Sequence, residues 1–353
     1  MRGIGTYVRG LGSELAAQTA FPIEFWGWEG RCPIELGAPH GWLTVPRRWS
    51  PRHRGAWLFA RRAMRRRASL SAAPLVHVND PDGLVHLGAK KVVVTVYDLI
   101  PLAEGIPAWH GLRRLGYRGY LGDLRRADAI LAISHATATQ VAERLAIPRE
   151  RILVAPPGVH PKAPSDGALA PGRPFFLYIG GPNPNKNLGC LLEAMTLTRE
   201  LREELVIVGA WLPRNHHRLA EELRTRGLER RVRHLGYVSD DEVASLMRAS
   251  TAVVMPSRFE GFGLPAAEAM AAGAVVVHST IPVLVSVVDD AGLSFDPESA
   301  ENLAARLREA AGLSEVRRQE MVRRARLRAE DFTWAKAVRA TLDAYTRLLE
   351  NAR

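Results

Sequence analysis

Short apolar runs recur along the chain, and their setting changes half-way. In the first half LVHV (75–78), VVVTV (92–96), ILAI (130–133) and ILVA (152–155) are rich in branched residues and followed by turn residues. Apolar runs without polar alternation predict strands buried on both faces of a sheet. In the second half FFLYI (175–179), LVIV (205–208), TAVVM (251–255) and AVVV (274–277) alternate with helical patterns at about 188–199, 214–226, 240–249 and 264–272. Upstream, a glycine turn at Gly3–Gly5 is expected to lead into a helix around Tyr7–Gln18, with a short strand at PIEFW (22–26). Ser134 reads as the N-cap of a helix running to Leu145 rather than as a hydrolase serine beside His135.

Strand–helix alternation with short loops predicts an α/β fold with a parallel sheet and right-handed crossovers, a Rossmann-like domain. At 353 residues two such domains are expected. The segment APPGVHPKAPSDGALAPGRP (155–174) reads as the hinge between them. Ligands of open sheets bind at the carboxyl ends of strands, so the loops after each apolar run carry the chemistry.

Composition narrows the class. A hydrophobic fraction of 47% with 24% charged residues is that of a soluble globular protein. No apolar run is long enough to span a bilayer, and the first residues lack the apolar core of a signal peptide. Cys32 and Cys190 make no disulfide framework, which suits a cytoplasmic protein. The net charge of +11 favours anionic partners, or else reflects arginine-rich solvated surfaces. Residues 47–67, RRWSPRHRGAWLFARRAMRRR, place Trp49, Trp57 and Phe59 among arginines. That stretch reads as a solvated helix or as a surface docking peripherally on the anionic inner face of a membrane. No recognition helix or base-stacking platform argues for nucleic acid.

The segment SRFEGFGLPAAEAM (257–270) sets two carboxylates around helix breakers. A helix starting near Leu264 has Pro265 in its first turn, where a missing N–H costs nothing. Gly261 and Gly263 then let backbone N–H groups of about 261–264 form an anion site suited to a diphosphate. Carboxylates repel phosphates, so Glu260 and Glu268 are better placed to accept hydrogen bonds from sugar and ribose hydroxyls. The spacing straddles a nucleotide-sugar. Read alone, the same spacing describes a capped surface helix.

SRFEGFGLPAAEAMAAG resembles the signature of retaining glycosyltransferases of family 4, whose GT-B architecture sets two Rossmann-like domains, each with a parallel sheet, facing across a cleft. ADAILAISHATATQVAERLAIPRERILVAPPGV (127–159), YIGGPNPNKNLGCLLEAM (178–195) and HLGYVSDDEVASLMRAS (234–250) resemble further segments of that family in order. The resemblance implies an acceptor-side domain over 1–157, a donor domain over 158–334 and a C-terminal helix at 335–353 packing back toward the N-terminal domain. It also implies a buried first strand that this chain lacks, so that either the natural product starts upstream of Met1 or the sheet closes around the gap.

By the same resemblance Glu260 contacts the transferred sugar, Glu268 holds the ribose, and Phe262, Gly263 and Leu264 offer amides to the diphosphate. Lys186 neutralises the leaving diphosphate, with Arg258 as a second positive charge. Gly180 and Gly181 line the donor loop, Tyr237 and Val238 lie near the base, and Gly3 and Gly5 line the opposite wall of the cleft. Tyr97 and Asp98 fall on the acceptor side.

Three positions depart from the family pattern. Asn185 stands where many relatives carry arginine, Tyr97 where many carry histidine, and Ser286 where glutamate is frequent. Tyrosine donates a hydrogen bond but is no base near neutral pH. The expected activity is metal-independent, needs no cofactor and moves a hexose from a nucleoside-diphosphate sugar to a glycan or lipid-linked acceptor. VTVYDLIPL (94–102) points toward mannose from GDP-mannose. The competing readings are a donor site on a metal-binding Asp80-Pro81-Asp82, a metal at His216-His217, and a degenerate protein that binds a nucleotide-sugar without turnover.

Overall fold

The computed structural model describes residues 2–19, 24–28, 41–45, 72–79, 90–102, 121–122, 124–159 and 169–350. Cys32, the basic stretch 47–67 and Asp80–Asp82 lie outside the described residues. The chain divides into two compact units, Met1–Gly158 with Thr333–Arg353, and Val159–Phe332. Among the described residues no helix is long and apolar enough to cross a membrane.

The first unit opens with α1 (Arg2–Gln18). Gly3 and Gly5 therefore form no turn; both lie inside the helix. Two helical glycines cost about 1 kcal/mol each, and the burial of Tyr7, Leu11 and Leu15, four apart on one face, offsets that. Two strands, β1 (Glu24–Trp28) and β2 (Gly41–Val45), pair in parallel, and β1 starts two residues later than the PIEFW reading. A four-stranded parallel sheet follows, built from β3 (Leu75–Val78), β4 (Lys91–Val96), β5 (Ala129–Ala132) and β6 (Ile152–Val154) in that spatial order.

Between β5 and β6 runs α2 (His135–Leu145). Ser134 caps it in extended backbone, its side chain accepting from Thr137 N–H, as the sequence predicts. One face of the sheet packs Val92, Val94, Val96, Ile130 and Ala132 against Val141 and Leu145 of α2. The other face packs Val93, Ala129 and Leu131 under Ala344, Tyr345 and Leu348 of the C-terminal helix Trp334–Glu350.

The second unit alternates strand and helix along most of its length. Its elements are β7 (Phe175–Ile179), α3 (Leu188–Leu197), β8 (Glu204–Val208), α4 (Pro213–Arg226), β9 (Val232–Gly236), α5 (Asp240–Ala249) and β10 (Ala252–Met255). They continue with α6 (Leu264–Ala272), β11 (Val276–Ser279), α7 (Pro282–Val288), β12 (Leu293–Phe295), α8 (Ala300–Ala311) and α9 (Glu315–Ala329). The sheet order is β12-β11-β10-β7-β8-β9, every pair parallel. The chain reverses direction across the sheet between β7 and β10, and that switch point is where open sheets of this kind take ligands.

The structure places β11 two residues beyond the AVVV reading, because Gly273 (φ 80°) ends α6 and Ala274 and Val275 lead into the strand. Asp289 sits at φ 55°, ψ −131°, a conformation that favours glycine, and its side chain is exposed. Strain of this kind costs about 1–3 kcal/mol, against about 0.4–1 kcal/mol of added unfolded-state entropy for glycine. Asp289→Gly is therefore expected to stabilise the unit by about 1 kcal/mol, raising its Tm by about 2–3 °C in a thermal melt. A lowered Tm would show that the aspartate side chain contributes more than its backbone costs.

Candidate active site

Two loops leave the carboxyl ends of β7 and β10 at the switch point, and each is shaped by its own sequence. After β7 the chain passes Gly180 and Gly181 into a short 3-10 turn, Pro184–Lys186. Asn187 in the left-handed region (φ 52°) then turns it into α3, and its side-chain amide donates to Pro297 O at 2.8 Å. Asn tolerates this conformation better than most residues. The loop is fixed from below as well. Tyr178 Oη donates to Gly181 O at 2.9 Å and Trp211 Nε1 to Gly180 O at 2.9 Å. Gly209, after β8, admits the close approach of Gly180, since a Cβ there would lie 2.4 Å from Gly180 O.

After β10 the chain runs from Pro256 to Gly263, whose φ of 91° launches α6 with Pro265 in the first turn. A Cβ on Gly263 would also meet Leu284 Cδ2 at 2.5 Å, so space and backbone both demand glycine. In the first turn of α6 Pro265 has no N–H and Ala266 N–H donates to Gly263 O at 2.9 Å, and this turn carries the helix's positive dipole end.

The structure brings Lys186 and Glu260 together. Lys186 Nζ lies 2.6 Å from Glu260 Oε1, and Ser257 Oγ donates to the same oxygen at 2.7 Å. The Glu260 side chain is only 9% exposed and that of Lys186 21%, so this contact is stronger than a surface ion pair. Buried Tyr178 stands behind the pair, and its own burial first, then the charge on Glu260, pushes its hydroxyl far up. Ser257 is itself anchored, its carbonyl accepting from buried Ser279 Oγ at 2.5 Å.

Asn185 and Arg258 make contacts of their own in the free protein. Asn185 staples the loops: its carbonyl accepts from Arg258 N–H at 2.8 Å and its side-chain amide donates to Phe259 O at 3.2 Å. Arg258 grips Glu298 through two hydrogen bonds of 2.7 and 2.9 Å, and the guanidinium holds the Glu298 carboxyl below its ordinary range. In the free protein its charge is thus matched by a carboxylate. Phe262 is buried with its ring edge-on to Phe332 at 5.3 Å, leaving only its main chain for a ligand. Glu268 is half-buried on α6 and Leu264 half-buried at its start.

The comparisons with known proteins decide the family. The model for Glycosyl transferases group 1 matches residues 160–328, and that for Glycosyltransferase Family 4 matches residues 1–163. The chain belongs to glycosyltransferase family 4. It is 30% identical to the serotype-specific mannosyltransferase WbdA of Escherichia coli over 284 residues, 74% of this chain and 34% of that protein. It is 29% identical to the O-antigen chain mannosyltransferase B of Escherichia coli over 277 residues, 73% and 71% of the two chains. This chain therefore spans about a third of the length of the first relative. In fold it matches the sucrose-phosphate synthase of Thermosynechococcus elongatus at a TM-score of 0.79 and 22% identity, covering 98% of this chain and 93% of that one. The fold class is GT-B.

Elsewhere in this family 4 chain, Tyr237 after β9 is 74% exposed while Val238 is buried. Trp211, His216 and His234 stack on one another, His234 and Trp211 with centroids 4.3 Å apart. His234 bonds Gly209 O at 2.9 Å, and burial lowers its pKa. In the first unit Tyr97 Oη donates to Asn79 O at 3.0 Å, so its hydrogen is engaged inside the protein. Asp98 Oδ1 accepts from Ile100 N–H at 3.0 Å and shapes its own turn. Gly3 and Gly5, being helical, offer no glycine turn to a ligand. Sequence reasoning passed over Ser257, although the serine three residues before Glu260 was in plain view. It had no means to pair Asn185 with a loop 74 residues away.

Proposed function

We propose that the chain is a retaining, metal-independent hexosyltransferase that moves mannose from GDP-mannose to a glycan or lipid-linked acceptor. The observation that carries this reading is the Lys186–Glu260–Ser257 cluster at the β7/β10 switch point, next to the N-terminus of α6. A cation, a helix dipole and a buried carboxylate meet there, which is what a diphosphate bonded to a neutral sugar requires. The similarity to two mannosyltransferases supports the choice of sugar.

In this reading the donor's phosphate separates Lys186 from Glu260. Lys186 neutralises the diphosphate as the sugar–oxygen bond breaks and its electron pair moves to the phosphate. Glu260, held by Ser257, accepts a hydrogen bond from a sugar hydroxyl, and the bond strengthens as the ring carbon gains positive charge. The acceptor hydroxyl attacks from the face the phosphate leaves, and its proton passes to the phosphate oxygen. Tyr97 takes no part as a base, its hydroxyl hydrogen being engaged with Asn79. Glu268 holds the ribose, and the main chain beside Tyr237 meets the base.

The test is release of GDP on mixing with GDP-mannose and octyl α-D-mannoside, followed in the presence of EDTA. Because Lys186 and α6 supply the positive field, the rate with EDTA is expected to stay within about 20% of that without. Activity that EDTA abolishes and manganese restores would contradict metal independence. Binding of GDP-mannose without release of GDP would favour a non-enzymatic binding module.

A further inference from the structure

A half-buried chain of polar side chains ends at the carboxyl edge of the first unit's sheet. Tyr345 Oη of the C-terminal helix lies 2.7 Å from His77 Nδ1, and His77 Nε2 lies 2.8 Å from Thr95 Oγ1. The Thr95 hydroxyl donates to Asn79 Oδ1 at 2.8 Å. With Asn79 Oδ1 facing Thr95, counting hydrogens sets the remaining roles. Thr95 gives its hydrogen to Asn79, so its oxygen accepts from His77 Nε2–H. A neutral imidazole protonated at Nε2 has a lone pair at Nδ1, which accepts from the Tyr345 O–H. Burial keeps His77 neutral, its pKa pushed down to about 3.

Asn79 is thereby held at both of its oxygens, by Thr95 on the side chain and by Tyr97 on the main chain. Its Nδ2 amide makes no hydrogen bond among the described residues. The residue is half-buried directly after β3, beside the end of β4, at the edge where open sheets receive ligands. Packing alone does not call for this arrangement. Apolar side chains at 77, 95 and 345 would seat the C-terminal helix without burying polar groups that need partners. What the polar chain adds is a fixed orientation for one amide.

We propose that Asn79 is an acceptor-recognition residue whose Nδ2 donates to an oxygen of the acceptor glycan, and that Thr95, His77 and Tyr345 are positioning residues that aim it. This rests on the glycosyl-transfer reading above. The class of ligand is a neutral, hydroxyl-rich sugar, because the aimed group is a neutral amide donor.

The test uses the full chain, GDP-mannose and octyl α-D-mannoside. Asn79→Asp keeps an oxygen for Thr95 but removes the amide donor, and Asn79→Ala removes both. Both are expected to raise KM for octyl mannoside by about fivefold, the worth of one neutral hydrogen bond. KM for GDP-mannose and the acceptor-independent release of GDP stay within about twofold. Tyr345→Phe is expected to raise the acceptor KM by about two- to threefold, and ¹⁵N NMR of the wild type shows His77 protonated at Nε2 alone. A wild-type acceptor KM in both Asn79 variants, or His77 protonated at Nδ1, would overturn the proposal while leaving the transfer reading intact. If the wild type forms no mannosylated product, the transfer reading itself fails and this proposal goes with it.

Discussion

Glu260→Gln is expected to lower kcat by about 10²–10³-fold while GDP binds within about threefold of the wild type. The amide is nearly isosteric, so the loop keeps its shape. It is a weaker acceptor without charge, and the loss falls on the step in which positive charge develops on the sugar. The mutation also removes the 2.6 Å ion pair that Lys186 makes in the free protein. Lys186 then meets the diphosphate without first giving up a partner, which works against any fall in GDP affinity. Glu268→Ala provides the contrast, since a ribose contact serves ground state and transition state alike and its loss weakens GDP binding. Isothermal titration with GDP beside steady-state rates separates the two. Equal loss of GDP affinity in both variants would remove the division of labour between the carboxylates.

Lys186→Ala is expected to have an effect of similar size and different form. GDP affinity falls by about tenfold and kcat by a further ~10²-fold, because the charge acts on the bound diphosphate and more strongly on the leaving one. The substitution also leaves Glu260, only 9% exposed, with Ser257 but without its cation. Breaking one side of a buried pair is costlier than never having had it, so Tm falls too. Lys186→Ala with Glu260→Gln removes both charges and is expected to recover most of that Tm while kcat stays low. A double variant no more stable than Lys186→Ala would show that the pair is not what holds the two loops. Rescue of turnover by Arg258 is not expected, since its guanidinium is matched to Glu298.

Much of this was legible in the residues. FFLYI, LVIV and TAVVM are buried on both faces, and runs of that kind in parallel sheets carry their signal in four or five letters. Ser134 and Pro265 announced their helix starts because capping chemistry is local. The strands β9 and β12 were not foreseen. VRHLG carries an arginine and a histidine on an edge strand, and LSF is three residues long, so neither makes an apolar run. The Gly3–Gly5 turn was misread because glycine spacing is a weak signal against an amphipathic helix that buries Tyr7 to 2%. At the site, Glu260, Lys186 and the glycines around α6 could be named from sequence. The fate of Arg258 could not, because its partner Glu298 is 40 positions away and ion pairing leaves no trace in spacing. The same holds for Tyr97, whose hydroxyl is engaged by a main-chain oxygen that only the sheet register brings near.

The central claim, transfer of mannose with retention, is tested most directly by ¹H NMR of the product formed from GDP-mannose and octyl α-D-mannoside at early times. The donor carries an α linkage, and front-face attack keeps it. The account predicts that the first anomeric signal of the new glycoside is α, appearing together with one equivalent of GDP. A β signal at first appearance, or GDP released with no new anomeric signal, would contradict it.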